Sequence, residues 1–139
     1  MKASDKLKDL LNLETFVSPE EARELALAGK LKHTTTVQGD LNLYSTKITS
    51  LPEGLKVQGD LGLSRSGITS LPEGLVVGKS LDLAFTKIAS LPKGLVVGGA
   101  LWLQGTKVTS LPNDLKIKGS VYGSNKKMKV PKGIKYESQ

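Results

Sequence analysis

The chain holds one histidine, His33, and no cysteine. An imidazole works as a base when a carboxylate orients it, yet no acidic residue neighbours His33 in the sequence. Without cysteine there is no thiol nucleophile, no disulfide and no zinc-thiolate site. The glycines "GGA" at 98–100 are followed by neither lysine-serine nor a helix pattern, so they do not read as a phosphate loop. The acids of the central region recur in equivalent places, Asp40 with Asp60 and Glu53 with Glu73, each pair 20 residues apart. Recurrence of that kind belongs to framework turns, whereas catalytic groups are unique. No spacing suits a metal. These residue types predict a chain without catalysis, cofactor or metal.

The remaining chemistry is that of binding. Trp102 and Tyr122 lie 20 residues apart and follow Asn42, Gly62 and Asp82 at the same interval. Small or polar residues thus give way to two large aromatics, the types most enriched where partners bind. Packing of the pair as an end cover is the plainer reading of the same residues. Phe85 stands where equivalent positions hold Ser45, Arg65 and Gly105, and it extends the aromatic candidate. A second row, Lys47, Lys87, Lys107 and Lys127, is broken by Gly67. As a solvated row it would block edge-to-edge association; as a basic ridge it would attract nucleic acid or an acidic protein.

The net charge is +7. It concentrates late in the chain: residues 116–135 carry seven lysines, Lys116 and Lys118 among them, and no acid. Lys116 and Lys118 are expected on the same face as Trp102 and Tyr122, where they would favour an acidic partner by faster encounter.

Those rows exist only if the chain stacks one unit repeatedly. "ITSLPEGL" occupies 48–55 and returns at 68–75, followed by "IASLPKGL" at 88–95 and "VTSLPNDL" at 108–115, a period of 20 residues. A fixed period of this length marks a solenoid. Within a unit, Leu55, Val57, Leu61 and Leu63 alternate with polar residues or glycine, which is the period of a strand with one buried face. Gly59 interrupts that run and leaves two possibilities, one long kinked strand or two short ones. A polar corner follows at 64–67; then Ile68 and Leu71 return to the interior. Pro72 cannot donate to a ladder and belongs on the return side, and Glu73-Gly74 turns the chain into the next strand. Stacking predicts three interior columns: Leu41, Leu61, Leu81 and Leu101; Leu43, Leu63, Leu83 and Leu103; and Ile48, Ile68, Ile88 and Val108.

The pattern L-x-L-x-x-[TS]-x-[IV]-x-S-L-P over 37–134 resembles the leucine-rich repeat, in particular the short Leu-Pro class of bacterial secreted effectors. That resemblance implies a right-handed coil of parallel strands. The corner asparagine of such repeats is here Thr46, Ser66, Thr86 and Thr106, whose hydroxyls can cap backbone groups. The leucine that precedes the strand in that family is replaced by "LxVxG", so a β-solenoid with two strands per coil stands as the alternative.

Three regions are expected: an N-terminal helical cap over 1–36, the repeat solenoid over 37–120, and a degenerate basic final repeat with a tail over 121–139. Within the cap, "SDKLKDLLNL" at 4–13 predicts a short helix. "SPEEARELALAGK" at 18–30 predicts a second one, with Ser18 as N-cap, Pro19 at its first position and Gly29 as its stop. No run approaches the ~20 apolar residues of a membrane span, nor the h-region of a cleaved signal. A cytoplasmic protein is expected, with export that needs no cleaved signal also compatible. The sequence does not fix the oligomeric state. The functional expectation is a protein-binding module, in keeping with a small bacterial or phage-encoded inhibitor or adaptor; the alternative is a nucleic-acid-binding protein that uses the lysine ridge.

Overall fold

The computed structural model describes residues 15–139. The helix expected at 4–13 lies outside them. The chain winds into a solenoid of about five turns whose described strands all run parallel. Each regular coil contributes two strands, one to each of two sheets, so the two-strand alternative is the one that forms.

Among the described residues, sheet A contains six strands. In chain order these are β1 (Thr15–Val17), β2 (Thr35–Val37), β4 (Lys56–Val57), β6 (Val76–Val77), β8 (Val96–Val97) and β10 (Lys116–Ile117). Sheet B also has six: β3 (Leu41–Asn42), β5 (Leu61–Gly62), β7 (Leu81–Asp82), β9 (Leu101–Trp102), β11 (Val121–Gly123) and β12 (Tyr136–Ser138). In a regular coil a bend such as Gln58-Gly59-Asp60 joins the two sheets. Gly59 sits there because the backbone passes close to the previous coil: a Cβ at Gly59 would overlap Oδ1 of Asp40. That oxygen is already committed, since it accepts from the Asp60 N–H at 2.7 Å.

Register follows the sequence period. Leu41 pairs with Leu61, Leu61 with Leu81 and Leu81 with Leu101. These leucines and the column Leu43, Leu63, Leu83 and Leu103 are buried. In the third column Ile68, Ile88 and Val108 are buried but Ile48, on the first regular coil, is only partly so. A buried leucine contributes about 1.5–3 kcal/mol relative to leaving it in water, so these columns are the main source of stability.

The other repeated letters have local tasks. Thr46, Thr86 and Thr106 donate their hydroxyl protons to the carbonyls of Leu43, Leu83 and Leu103 at 2.7–2.8 Å. At each corner one residue takes a left-handed conformation, with φ of 56° at Ser45, 60° at Arg65, 57° at Phe85 and 71° at Gly105. On the return side, Gly74 at φ 73° occupies the third place of the turn that begins at Pro72, where a type II turn needs glycine.

The N-terminal coil combines a helix with a strand. Helix α1 spans Pro19–Leu27, and Ser18 Oγ accepts from the Glu21 N–H at 3.2 Å, as the capping pattern predicts. Ahead of it β1 already belongs to the solenoid: Thr15 pairs with Thr35 and Val17 with Val37. The described part of the capping region is thus itself a coil, in which a helix replaces the sheet B strand. Buried Ala22 and Ala26 let α1 pack closely, and Arg23 Nε donates to the Asn42 carbonyl at 3.2 Å.

At the C-terminal end the last coil is short. Val121 pairs with Tyr136, an interval of 15 residues instead of 20. The turn at 131–134 leads directly back to sheet B, and among the described residues no strand is added to sheet A beyond β10. Tyr136 ends the inner leucine column, packs against the core and donates its hydroxyl proton to the Asn125 carbonyl at 2.8 Å. Burial raises the pKa of its phenol above the ordinary value. No helix among the described residues is long and apolar enough to cross a membrane.

Candidate functional site

Sheet B presents the expected outward column. Asn42, Gly62, Asp82, Trp102 and Tyr122 are neighbours in consecutive parallel pairs, and Glu137 extends the row. The rings of Trp102 and Tyr122 stack with centroids 4.3 Å apart and planes inclined by 16°. Trp102 remains 36% exposed. The stack arises because parallel strands hold equivalent residues about 4.8 Å apart, close to the spacing of stacked rings. The rings pack on each other, and Trp102 still meets solvent.

The side of Trp102 towards the earlier coils is flanked by small residues. A shallow groove of about 460 Å³ runs there, bounded by Trp102 at one end and Tyr44 near the other, with Gly62 and Ser64 between them. Tyr44 is one of the more exposed large side chains. Its distance in sequence from Trp102 is bridged by this groove, which spacing alone did not reveal.

The groove is acidic, carrying Asp40, Asp60 and Asp82 along its length. Each aspartate uses one oxygen to hold the frame. Asp40 Oδ1 accepts from Asp60 N, Asp60 Oδ1 from Ser80 N at 2.8 Å, and Asp82 Oδ1 from Ala84 N at 3.0 Å. These framework bonds account for the recurrence of Asp40 and Asp60. They also place carboxylates beside the aromatic wall, a combination suited to a planar cation.

Other candidates are distributed differently. Phe85 is exposed on the corner ridge, where the Arg65 guanidinium lies 4.5 Å from its ring centroid. A Cβ at Gly105 would lie 2.5 Å from the Phe85 ring, so glycine there makes room for it. Phe85 does not line the groove of Trp102. Lys116 and Lys118 are exposed, but β10 is a sheet A strand, whereas Trp102 is on sheet B. The expectation that they share the face of Trp102 is thus corrected: the bend at 118–120 separates them. Lys47, Lys87, Lys107 and Lys127 are all exposed. The register slips by one residue at the last coil, where Ser110 bridges Lys129, so Lys126 continues the row as much as Lys127 does.

His33 is exposed beside a second depression near Leu51 and Pro52. Among the described residues no group of three histidines, cysteines or acids stands close enough to hold a metal ion. Compared with family models, curated proteins and solved structures, the chain matches none.

Proposed function

We propose that this protein is a non-catalytic protein-binding module, an adaptor or inhibitor in character, whose recognition face is the outer side of sheet B. The observation that supports it is the stacked Trp102–Tyr122 pair, of which Trp102 is exposed and bounds a groove that Gly62, Ser64 and three aspartates also line. Desolvating such an aromatic wall contributes several kcal/mol, since each ring buries roughly 150–250 Å². The resemblance to leucine-rich repeats points the same way, because solenoids of that kind present extended surfaces to partners.

The sequence suggested an acidic partner for this face; the aspartates of the groove favour the opposite charge. The side chain that suits Trp102 and Asp82 together is arginine, whose flat guanidinium stacks on an indole while donating to a carboxylate. Lysine, a compact point charge, fits one of those tasks and not both.

Trp102 is the single tryptophan, so its fluorescence reports occupancy directly. Titration with an arginine-bearing peptide should shift that emission. The lysine analogue should bind at least ~10-fold more weakly, the equivalent of about 1.4 kcal/mol. Asp82→Asn should weaken the arginine peptide alone. Equal response to both peptides would overturn the arginine reading. Binding of a single-stranded oligonucleotide that falls steeply with salt, and is lost when Lys87 and Lys107 are reversed to Glu, would place the nucleic-acid alternative ahead.

A further inference from the structure

Among the described residues the short last coil leaves β10, at the edge of sheet A, with a neighbour on one side only. Leu101 pairs with Val121 across 20 residues, whereas Val121 pairs with Tyr136 across 15. The turn closed by the Ile134 N–H on the Pro131 carbonyl repeats the one closed by the Leu115 N–H on Pro112. Beyond that turn a regular unit lays down a strand of sheet A, and this coil omits it. Among the described strands β10 therefore pairs with β8 alone.

The open side of β10 has a defined chemistry. Lys116 and Lys118 donate their N–H groups back to Leu95 and Val97 at 3.1 Å. Alternate residues of a strand face opposite neighbours, so the N–H and C=O of Ile117 point to the side where no described strand lies. The Ile117 side chain is part of the core column of Val57, Val77 and Val97, yet it is only partly buried where they are fully so. A groove of about 510 Å³ lies along it, with Leu115, Ile117 and Ile134 as apolar walls and Lys116, Lys118 and Lys132 among its lining. β12, the last strand of sheet B, differs: the ring of Tyr136 already packs over the core there.

We propose that the open edge of β10 accepts an extended segment of another protein carrying an acidic–apolar–acidic triplet. Its backbone supplies the missing rung of sheet A by strand addition. The apolar residue covers Ile117, and the two acids lie opposite Lys116 and Lys118, where opposite charges favour cross-strand pairing. The triplet reads the same in both directions, so the chemistry holds for parallel or antiparallel addition. A second copy of this chain is the wrong occupant, because pairing β10 with itself sets lysine against lysine. This site is independent of the sheet B face: it lies on the other sheet and selects the opposite charge.

The test uses the full chain and a synthetic seven-residue peptide centred on Glu-Val-Glu. Addition of the peptide should slow hydrogen exchange at the Ile117 amide and shift the resonances of residues 115–118. N-methylation of the peptide on the edge facing β10 should weaken binding at least ~10-fold. Lys116→Glu combined with Lys118→Glu changes only exposed side chains, and it should transfer the preference to a Lys-Val-Lys peptide. Protection that fails to appear at Ile117, indifference to N-methylation, or unchanged preference in the double variant would each overturn the proposal. So would a concentration-dependent dimer, seen by sedimentation, that the peptide does not dissolve.

Discussion

The two ends of the solenoid solve the same problem unequally. At the N-terminal end both sheets are continued: β1 extends sheet A, and α1 covers the first strand of sheet B. The interval from Val17 to Val37 is still 20 residues, so a helix has replaced strand and corner without altering the period. At the C-terminal end sheet B gains β12, while sheet A, among the described residues, stops at β10. A coil can therefore exchange its secondary structure and keep the stack, but a coil that loses residues leaves an edge behind.

Substitutions along the stack test that contrast. The largest effect is expected in the middle, where Leu63→Ala or Leu83→Ala removes a fully buried side chain between two coils. Each should lower stability by about 2–5 kcal/mol in denaturant titration. Near-neutral midpoints for both would break the stacked-column account. At the N-terminal end, Ser18→Ala removes the cap of α1 and should cost about 0.5–2 kcal/mol by the same measurement. An unchanged midpoint would show that the helix is held by packing alone.

At the C-terminal end, Tyr136→Phe should cost about 0.5–1.5 kcal/mol through its lost hydrogen bond to Asn125. The raised pKa of Tyr136 adds a pH dependence of known sign. The unfolded chain ionises this phenol more readily, so the stabilisation is complete below the ordinary tyrosine pKa of about 10. It is lost as pH rises through the higher folded value. Alkaline unfolding should accordingly be steeper in the parent chain than in Tyr136→Phe, and identical slopes would refute the assignment. The smallest effect belongs to the open edge: Ile117→Ala should cost less than about 1 kcal/mol, because its side chain is already partly in water. A loss as large as that at Leu63 would mean that β10 is covered in solution.

Much of this was legible in the sequence because the period states which residues stack. The interior columns, the outward row from Asn42 to Tyr122, the hydroxyl caps at the corners and the start of α1 all follow from residue type and interval. What escaped depended on departures from the interval. "TFV" at 15–17 does match "TTV" at 35–37, but a helix pattern between them hides the repeat. The loss of the last sheet A strand looks in sequence like a mere degeneracy of the fifth unit. The bend between the sheets is what parts Lys116 from Trp102, and alternation along a run cannot report the direction of a bend. The acid of the groove was visible as Asp40, Asp60 and Asp82, but its closeness to Trp102 required the rungs to be assembled.

The 20-residue register has a consequence for how such a surface could be resized. Every joint between coils is nearly the same joint, so removing residues 61–80 would bring Leu81 onto Leu41 with the same chemistry on both sides. The distance between Tyr44 and Trp102 would shorten by one rung, about 4.8 Å, while each wall kept its own identity. Duplicating the unit would lengthen it by the same step. The jaws of this gauge are fixed, and its opening is set in whole numbers of coils.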